Sequence, residues 1–330
     1  MPARHASLVL DRRAALAATG SLLLAPAAFA QSRYPERPIR VVVPNGPGSS
    51  VDTIGRVTCT EMSRLLGQPM VIDNRTGAAG AIGVEAVRTA GADAYTLLVG
   101  SSSAISVAPM LQKAVTYDGL RDFEMVSLMA LLPNVLVCNP QLPVQNTQQL
   151  IEWCRSKGGN AHMASAGIGS ASHLAGLAFQ SAAGFKALHV PYKGGAQGVA
   201  SVVSGETDWV LTPAPAAMSL VQGGRLRLLG HSMPGNTQPI GHTPALDATV
   251  PGFEFSGWIG LMAPKGTPAA AIDAIARATT AALQRPEVHK AYDTNGAVPQ
   301  ATGPEAFRTY LRRDIEQNRK AVLAAGLQPE

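Results

Sequence analysis

The sequence predicts an α/β protein of two units, each a mostly parallel sheet flanked by helices, with a ligand cleft between the units. Short β-branched strands alternate with amphipathic helical stretches, the pattern of strand–helix–strand units. Three of the strand-to-helix turns are rich in glycine and serine, and they fall in both halves of the chain. Of the 330 residues, 46% are hydrophobic and only 15% charged, which excludes a disordered chain and asks for extensive burial.

Residues 1–30 read as a removable leader. Arg4, Arg12 and Arg13 make its basic start, Ala14 to Ala28 its apolar run, and Ala28-Phe29-Ala30 a cleavage site before Gln31. The expected destination is the periplasm. Arg12-Arg13 resembles a twin-arginine signal, but Asp11 and the missing hydrophobic–Lys context weaken it, so the Sec and Tat routes both stay open. The remaining chain, roughly 300 residues, is long enough for two cores.

The first unit opens on Ile39-Arg40-Val41-Val42-Val43, a buried strand, and turns through Pro44-Asn45-Gly46-Pro47-Gly48-Ser49-Ser50-Val51-Asp52 into a helix over Thr53–Leu66. A strand, a glycine turn and a helix in that order leave unpaired N–H groups at the helix start, and the helix dipole favours an anion there. Ser50 or Asp52 serving only as a helix cap is the plainer alternative. A strand at Met70–Asp73, a helix at Ala81–Ala90 and a strand at Thr96–Gly100 follow, the last ending in Ser101-Ser102-Ser103. Phe123–Leu132 and Val135–Cys138 are apolar strands broken by Pro133-Asn134.

In the second unit Asn146, with Gln149 three residues on, marks a helix start, and Leu150, Ile151 and Cys154 form its apolar face. Ala164-Ser165-Ala166-Gly167-Ile168-Gly169-Ser170-Ala171-Ser172-His173-Leu174 is a third glycine- and serine-rich turn, opening a helix to Ala183. It is no dinucleotide fingerprint, because Ser172 stands where a third glycine is needed and no acidic residue follows about 20 positions on. Strand Leu188–Val190, turn Pro191–Gly195, helix Gly198–Ser204 and strand Trp209–Thr212 complete the unit. Phe253–Met262 returns as a strand, Thr267 is expected to cap a helix with Pro268 at its first position, and a last helix runs from Pro304 until Gly326 stops it.

The net charge is +5, and loss of three arginines and one aspartate with the leader leaves +3. With 5% aromatics and no long run of like charge, nucleic acid is excluded as a partner. Cys59, Cys138 and Cys154 fit no metal spacing; a Cys138–Cys154 bond is conceivable, and buried free thiols fit better. The histidines show no metal-ligand spacing, so neither a metal nor another cofactor is expected. A hydrolase would need a serine on a G-x-S-x-G elbow, which does not occur. Ser170 and His173, at i and i+3, are a nucleophile–base pair on paper, but no acid is placed to orient the imidazole. The reading is therefore not an enzyme.

Across the chain beyond the leader, the motifs resemble those of the Bug-type solute-binding proteins of tripartite tricarboxylate transporters. These motifs are Tyr34-Pro35-x-Arg37-Pro38-Ile39-Arg40, Asp73-Asn74-Arg75-x-Gly77-Ala78-x-Gly80-x-Ile82-Gly83, Tyr95-Thr96-Leu97-Leu98, Ser165-Ala166-Gly167-x-Gly169-Ser170-x-x-His173-Leu174, His189-Val190-Pro191-Tyr192-Lys193-Gly194 and Ala263-Pro264-x-Gly266-Thr267-Pro268. The resemblance implies a periplasmic-binding-protein fold of type II-like, two-domain form, and capture of a small carboxylated metabolite for delivery to the membrane subunits of such a transporter. A sensor kinase is the alternative partner, and the protein is expected to be a monomer. It further implies a pincer of backbone N–H groups, hydroxyls and waters. Pro44, Asn45, Gly46, Gly48, Ser49 and Asp52 form one jaw, and Ser165, Ala166, Gly167, Gly169, Ser170 and His173 the other. Ser101, Ser102 and Thr212 are expected at strand ends facing the cleft. The chain departs from the family pattern at Asn45-Gly46 and Ser49-Ser50, so an extra polar group on the ligand is expected near Asn45. The expected domains are 33–134 with 253–330, and 135–252, with crossings at Leu132–Val135 and Pro251–Phe255.

Overall fold

The computed structural model describes residues 34–233, 240–324 and 326–329; the leader reading at 1–30 lies outside them. The chain opens with β1 (Ile39–Val43), α1 (Ser50–Leu66), β2 (Met70–Asn74), α2 (Ala81–Arg88) and β3 (Thr96–Ser101). A π-helical turn over Ser102–Val107 leads into α3 (Ala108–Leu111), and then β4 (Phe123–Leu132). The middle of the chain supplies β5 (Asn134–Cys138), α4 (Thr147–Ser156), β6 (His162–Ser165), α5 (Ala171–Ala183), β7 (Leu188–Pro191), α6 (Gly195–Ser204), β8 (Trp209–Pro213), α7 (Met218–Gln222) and β9 (Arg227–His231). It closes with β10 (Gly257–Pro264), α8 (Ala269–Leu283), α9 (Pro286–Thr294), β11 (Val298–Thr302) and α10 (Pro304–Ala324). The sequence reading had no counterpart for α9 or β11.

Two sheets result, in the orders β11-β4-β10-β3-β1-β2 and β7-β6-β8-β5-β9. The α/β class with helix-flanked sheets holds, but the sheets are mixed rather than mostly parallel. β1 runs parallel to β2 and β3, and β6 to β7 and β8. Against them, β10 is antiparallel to β3 and β4, β11 to β4, and β5 to β8 and β9. A parallel neighbour needs a crossover of a dozen or more residues. Only Pro133 separates β4 from β5, which passes to the other sheet instead, and the returning β10 inserts between β3 and β4. Apolar runs reveal burial, not direction.

The two passages between the sheets are tied together by Ser232. Its N–H donates to the Asn134 carbonyl (2.9 Å), and its Oγ donates to the Phe255 carbonyl (2.6 Å). The Asn134 side-chain Nδ2 donates to that same carbonyl (2.6 Å), and the Phe255 N–H donates to the Ser232 carbonyl. One buried knot thus holds Pro133–Asn134 against Phe255–Ser256.

Local signals account for most helix starts. Asn146 caps α4 by accepting from the Gln149 N–H, and Gln149 Oε1 returns the bond to the Gln145 N–H. α1 begins three residues earlier than expected because Ser49 caps it, accepting from the Asp52 N–H. Thr267 does not cap α8; Pro268 takes that position, and Thr267 Oγ1 donates instead to the Pro264 carbonyl (2.7 Å). The strand expected from Phe253 starts only at Gly257, since 253–256 make the passage described above. Cys59, Cys138 and Cys154 are buried free thiols; burial pushes Cys59 and Cys154 up to about 12 and Cys138 to about 11.

The cores lie between sheets and helices. Val41, Val43, Ile54, Val99, Ile259, Leu261 and Ile275 fill one face of the first sheet, and Leu136, Met163, Phe179, Trp209 and Leu211 the second sheet. A smaller cluster joins them: Val107 from the first unit, Leu174 from α5, and Ala321 and Val322 from α10. α10 therefore packs at its start on the first sheet, through Phe307 and Leu311, and at its end on α5.

Gly83 lets α2 sit against the β1–α1 loop. A Cβ there would lie 2.7 Å from the Arg75 carbonyl oxygen and 2.9 Å from Pro44 Cα, both backbone. Gly83→Ala is expected to destabilise the protein by about 1–3 kcal/mol through overpacking. Urea unfolding checks it, and an unchanged midpoint would contradict this packing.

Candidate functional site

The first glycine turn is largely satisfied from within. Asp52 is 2% exposed, and its carboxylate accepts from the Gly48 N–H (2.9 Å), from Arg56 Nε (2.9 Å) and from Asn74 Nδ2 (2.8 Å). Burial works to raise its pKa, but those hydrogen bonds and the Arg56 charge hold it below the usual range. The anion at this helix start is the protein's own carboxylate. The Asn45 backbone carbonyl accepts from Asn74 Nδ2, and its buried side-chain Oδ1 has no partner among the described residues. Pro44 is buried under Gly80 and Gly83, while Gly48 (φ +79°) faces open space with nothing near its would-be Cβ.

The third glycine turn is built differently. Ser170 Oγ caps α5, accepting from the His173 N–H, and Gly167 (φ +119°) and Gly169 (φ +73°) take conformations that favour glycine. No carboxylate occupies the turn. The N–H groups of Ala171 and Ser172 in the first turn of α5 have no intrahelical acceptor. A Cβ on Gly169 would meet Leu111 Cδ1 at 2.6 Å, so this turn lies directly against α3 of the first unit.

Between them lies a cavity of about 700 Å³. Ser102, Ser103, Val107, Ala108, Leu111 and Gln112 form one wall, and Ile168, Gly169, Ser170, Ala171 and Leu174 the facing one. Asn134 and Phe255–Gly257 lie at its hinge end, with Asn318 of α10 and Gly326–Gln328 closing a side. Of the residues singled out from sequence, Ser102, Gly169 and Ser170 line this cavity. Pro44, Asn45, Gly46, Gly48, Ser49, Ser101, Ala166 and Gly167 do not line it. Ser165, His173 and Thr212 are buried away from its surface, at 0%, 5% and 1% exposure. The π-helical turn and α3 had no periodic signature in the sequence; the last helix was read from its apolar face, but not that Asn318 on it would wall this cavity.

The most consequential of those contacts is Asp314, buried in α10. It accepts from Ser106 Oγ (2.5 Å), Trp258 Nε1 (2.7 Å), Asn318 Nδ2 (3.1 Å) and, more loosely, Ser102 Oγ (3.4 Å). It has no ion-pair partner among the described residues. Burial raises its pKa to about 6 against the four donors, which favour the charged form. Ser102 and Asn318 both line the cavity, so a carboxylate stands one residue behind that wall.

The histidines of the third turn do not form a catalytic pair with Ser170. The His173 Nδ1 accepts from the Gly169 N–H (3.1 Å), and its ring stacks on His189 at 3.8 Å. Burial and then the nearby His189 push His173 down to about 4, so it is neutral. The serine–histidine contact that does exist, Ser165 Oγ to His189 Nε2 at 2.6 Å, was not foreseen from sequence. Ser165 is fully buried, and the contact fixes β6 to β7.

Asp314 makes a signed prediction. Its folded pKa exceeds the unfolded value, so the folded state binds the extra proton between about pH 4 and 6, and stability falls as pH rises through that window. Relative to Asp314→Asn, the wild type is expected to lose about 2–3 kcal/mol between pH 4 and 7, measured by chemical denaturation. A difference independent of pH would contradict a buried carboxylate without a counter-charge.

Known proteins share this architecture. The profile of the tripartite tricarboxylate transporter family receptor (TctC) matches residues 54–327. BugT of Bordetella pertussis is 34% identical over 286 residues, which cover 86% of this chain and 88% of BugT. Among solved structures, one described as a periplasmic transporter is 35% identical, with a TM-score of 0.74 over 89% of this chain and 99% of that one. Rpa4515 of R. palustris with adipate is 28% identical, TM-score 0.76, over 90% of this chain and 100% of that one. MatC from Rhodopseudomonas palustris with bound malate is 27% identical, TM-score 0.71, over 88% and 100%. With most of its length matched by the family profile, this chain belongs to the tripartite tricarboxylate transporter family of receptors.

Proposed function

We propose that the protein is a periplasmic solute-binding receptor that captures a small carboxylate in the cavity between its two sheets and delivers it to the membrane subunits of a tripartite transporter. The observation that supports this most directly is the third turn, a capped helix start with free N–H groups, opening into a 700 Å³ cavity against the other unit. Adipate and malate in relatives of the same family make carboxylates the ligand class. Among the described residues, no helix is long and apolar enough to cross a membrane.

The carboxylate is held by the α5 start. Ser170 Oγ accepts from the His173 N–H and lies 3.2 Å from Ser172 Oγ; with Ser172 donating in that pair, the Ser170 proton turns to a ligand oxygen, beside the N–H groups of Ala171 and Ser172. The units 33–134 with 253–330 and 135–252 act as two lobes that close on the ligand, hinged at Pro133–Asn134 and Phe255–Ser256. Ligand contacts to both walls favour the closed state by whatever they add over the open one.

Calorimetry on variants tests this site. Ser170→Ala should weaken carboxylate binding about five- to a hundredfold, as expected for one charge-assisted hydrogen bond. Gly169→Val should abolish it, since the added side chain strains a positive φ and runs into Leu111. Lys193→Ala should change little, and affinity should depend only weakly on salt. Binding lost in Lys193→Ala alone, with a steep salt dependence, would replace this reading with an ionic clamp. Small-angle scattering should show a smaller radius of gyration at saturation; an unchanged radius would remove the hinge.

A further inference from the structure

We infer that the preferred ligand is a monocarboxylate with an apolar body, an aryl or branched-alkyl acid, rather than a di- or tricarboxylate. The inference rests on the reading of the cavity as a carboxylate site and narrows its ligand class.

Three independent features of the cavity lead there. The first is a count of places for negative charge. Among the described residues, no Lys, Arg or His lines the cavity. The α1 start, which would be the second anion site of a two-jawed clamp, already holds the Asp52 carboxylate on the Gly48 N–H and does not line the cavity. The π-helical turn and α3 are too short to offer another such site. One free helix start remains, that of α5, and it takes one carboxylate.

The second feature is what the rest of the ligand would touch. Val107, Leu111 and Phe255 present apolar side chains to the cavity, with Leu174 packed behind them, and Ile168 stands at its rim 70% exposed. An exposed isoleucine on a binding loop gains when an apolar ligand covers it and loses when a charged one must be desolvated against it. Several adjacent apolar groups around so roomy a space suit a ring or a branched chain.

The third feature is Asp314. It lies immediately behind Ser102 and Asn318, both of which turn donors toward it instead of toward the cavity. A second ligand carboxylate seated at that wall would find those two donors turned away, only the Ser103 hydroxyl (3.2 Å from Ser101 Oγ) beside it, and a buried negative charge behind them. An apolar group meets no such penalty.

The experiment is calorimetry of the full mature chain with four probes: phenylacetate, 4-methylpentanoate, malate and adipate. At least one monocarboxylate is expected to bind tenfold or more tighter than both dicarboxylates. Ile168→Ser, at an exposed position that leaves the fold intact, is expected to weaken that monocarboxylate about threefold or more. The weaker probes should stay within twofold of wild type. Dicarboxylates binding as tightly as the monocarboxylates, or tighter, would overturn the inference and leave the carboxylate-receptor reading standing. A preferred monocarboxylate indifferent to Ile168→Ser would overturn the apolar contact argued here. Heat from none of the four, with no thermal shift, would instead defeat the receptor reading itself.

Discussion

The structure depends most on one buried carboxylate. Asp314 is reached by Ser102 and Ser106 of the π-helical turn, Trp258 of β10 and Asn318 one turn further along α10. Those donors come from three segments far apart in sequence, and none is a cation. A carboxylate buried without a counter-charge is costly unless its lone pairs are filled, and here four donors fill them. Two of the four, from Ser102 and Ser106, tie the π-helical turn to α10, and with it one wall of the cavity. Remove them and Val107 and Leu111 no longer have a fixed position opposite α5.

From that constraint the chemistry of the cleft follows. The π-helical turn presents apolar side chains, the Ser102 hydroxyl turned to Asp314 and the Ser103 hydroxyl paired with Ser101, so the proposed carboxylate site falls to the facing α5 start. That start is preorganised by Gly167 and Gly169, whose positive φ values shape the turn, and by Ser170, whose cap orients the hydroxyl. Backbone N–H groups fixed by the fold need no side-chain ordering at the moment of binding, unlike a lysine or arginine. The α1 start has the same local design but spends it on Asp52, which braces the loop to Arg56 and Asn74.

Much of this was legible in the sequence, and the rest was hidden for definite reasons. The Asn146 cap, the Gly/Ser turns and the alternating strands are local patterns, and each folds as its pattern says. The third turn was read as a ligand loop, and two of its residues, Gly169 and Ser170, line the cavity. Asp52 reads identically whether it faces a ligand or an Arg56 four residues on, and only burial separates the two. The direction of β10 carries no local signature, because an apolar run is the same in either sense. Asp314 lies in an ordinary charged stretch of α10; its partners 56, 208 and 212 residues away could not be read from spacing. The Ser165–His189 contact is hidden in the same way, by a parallel register that brings two separated strands together.

The central claim is that the ligand carboxylate is held by backbone N–H groups at the start of α5. Amide proton shifts in a ¹H–¹⁵N spectrum, recorded as phenylacetate and adipate are titrated in separately, test it most directly. The account predicts the largest downfield shifts at Ala171 and Ser172, with the β1–α1 loop amides little changed. Saturable binding that leaves Ala171 and Ser172 unmoved, with the shifts concentrated at Gly48–Val51 or around Lys193, would contradict it.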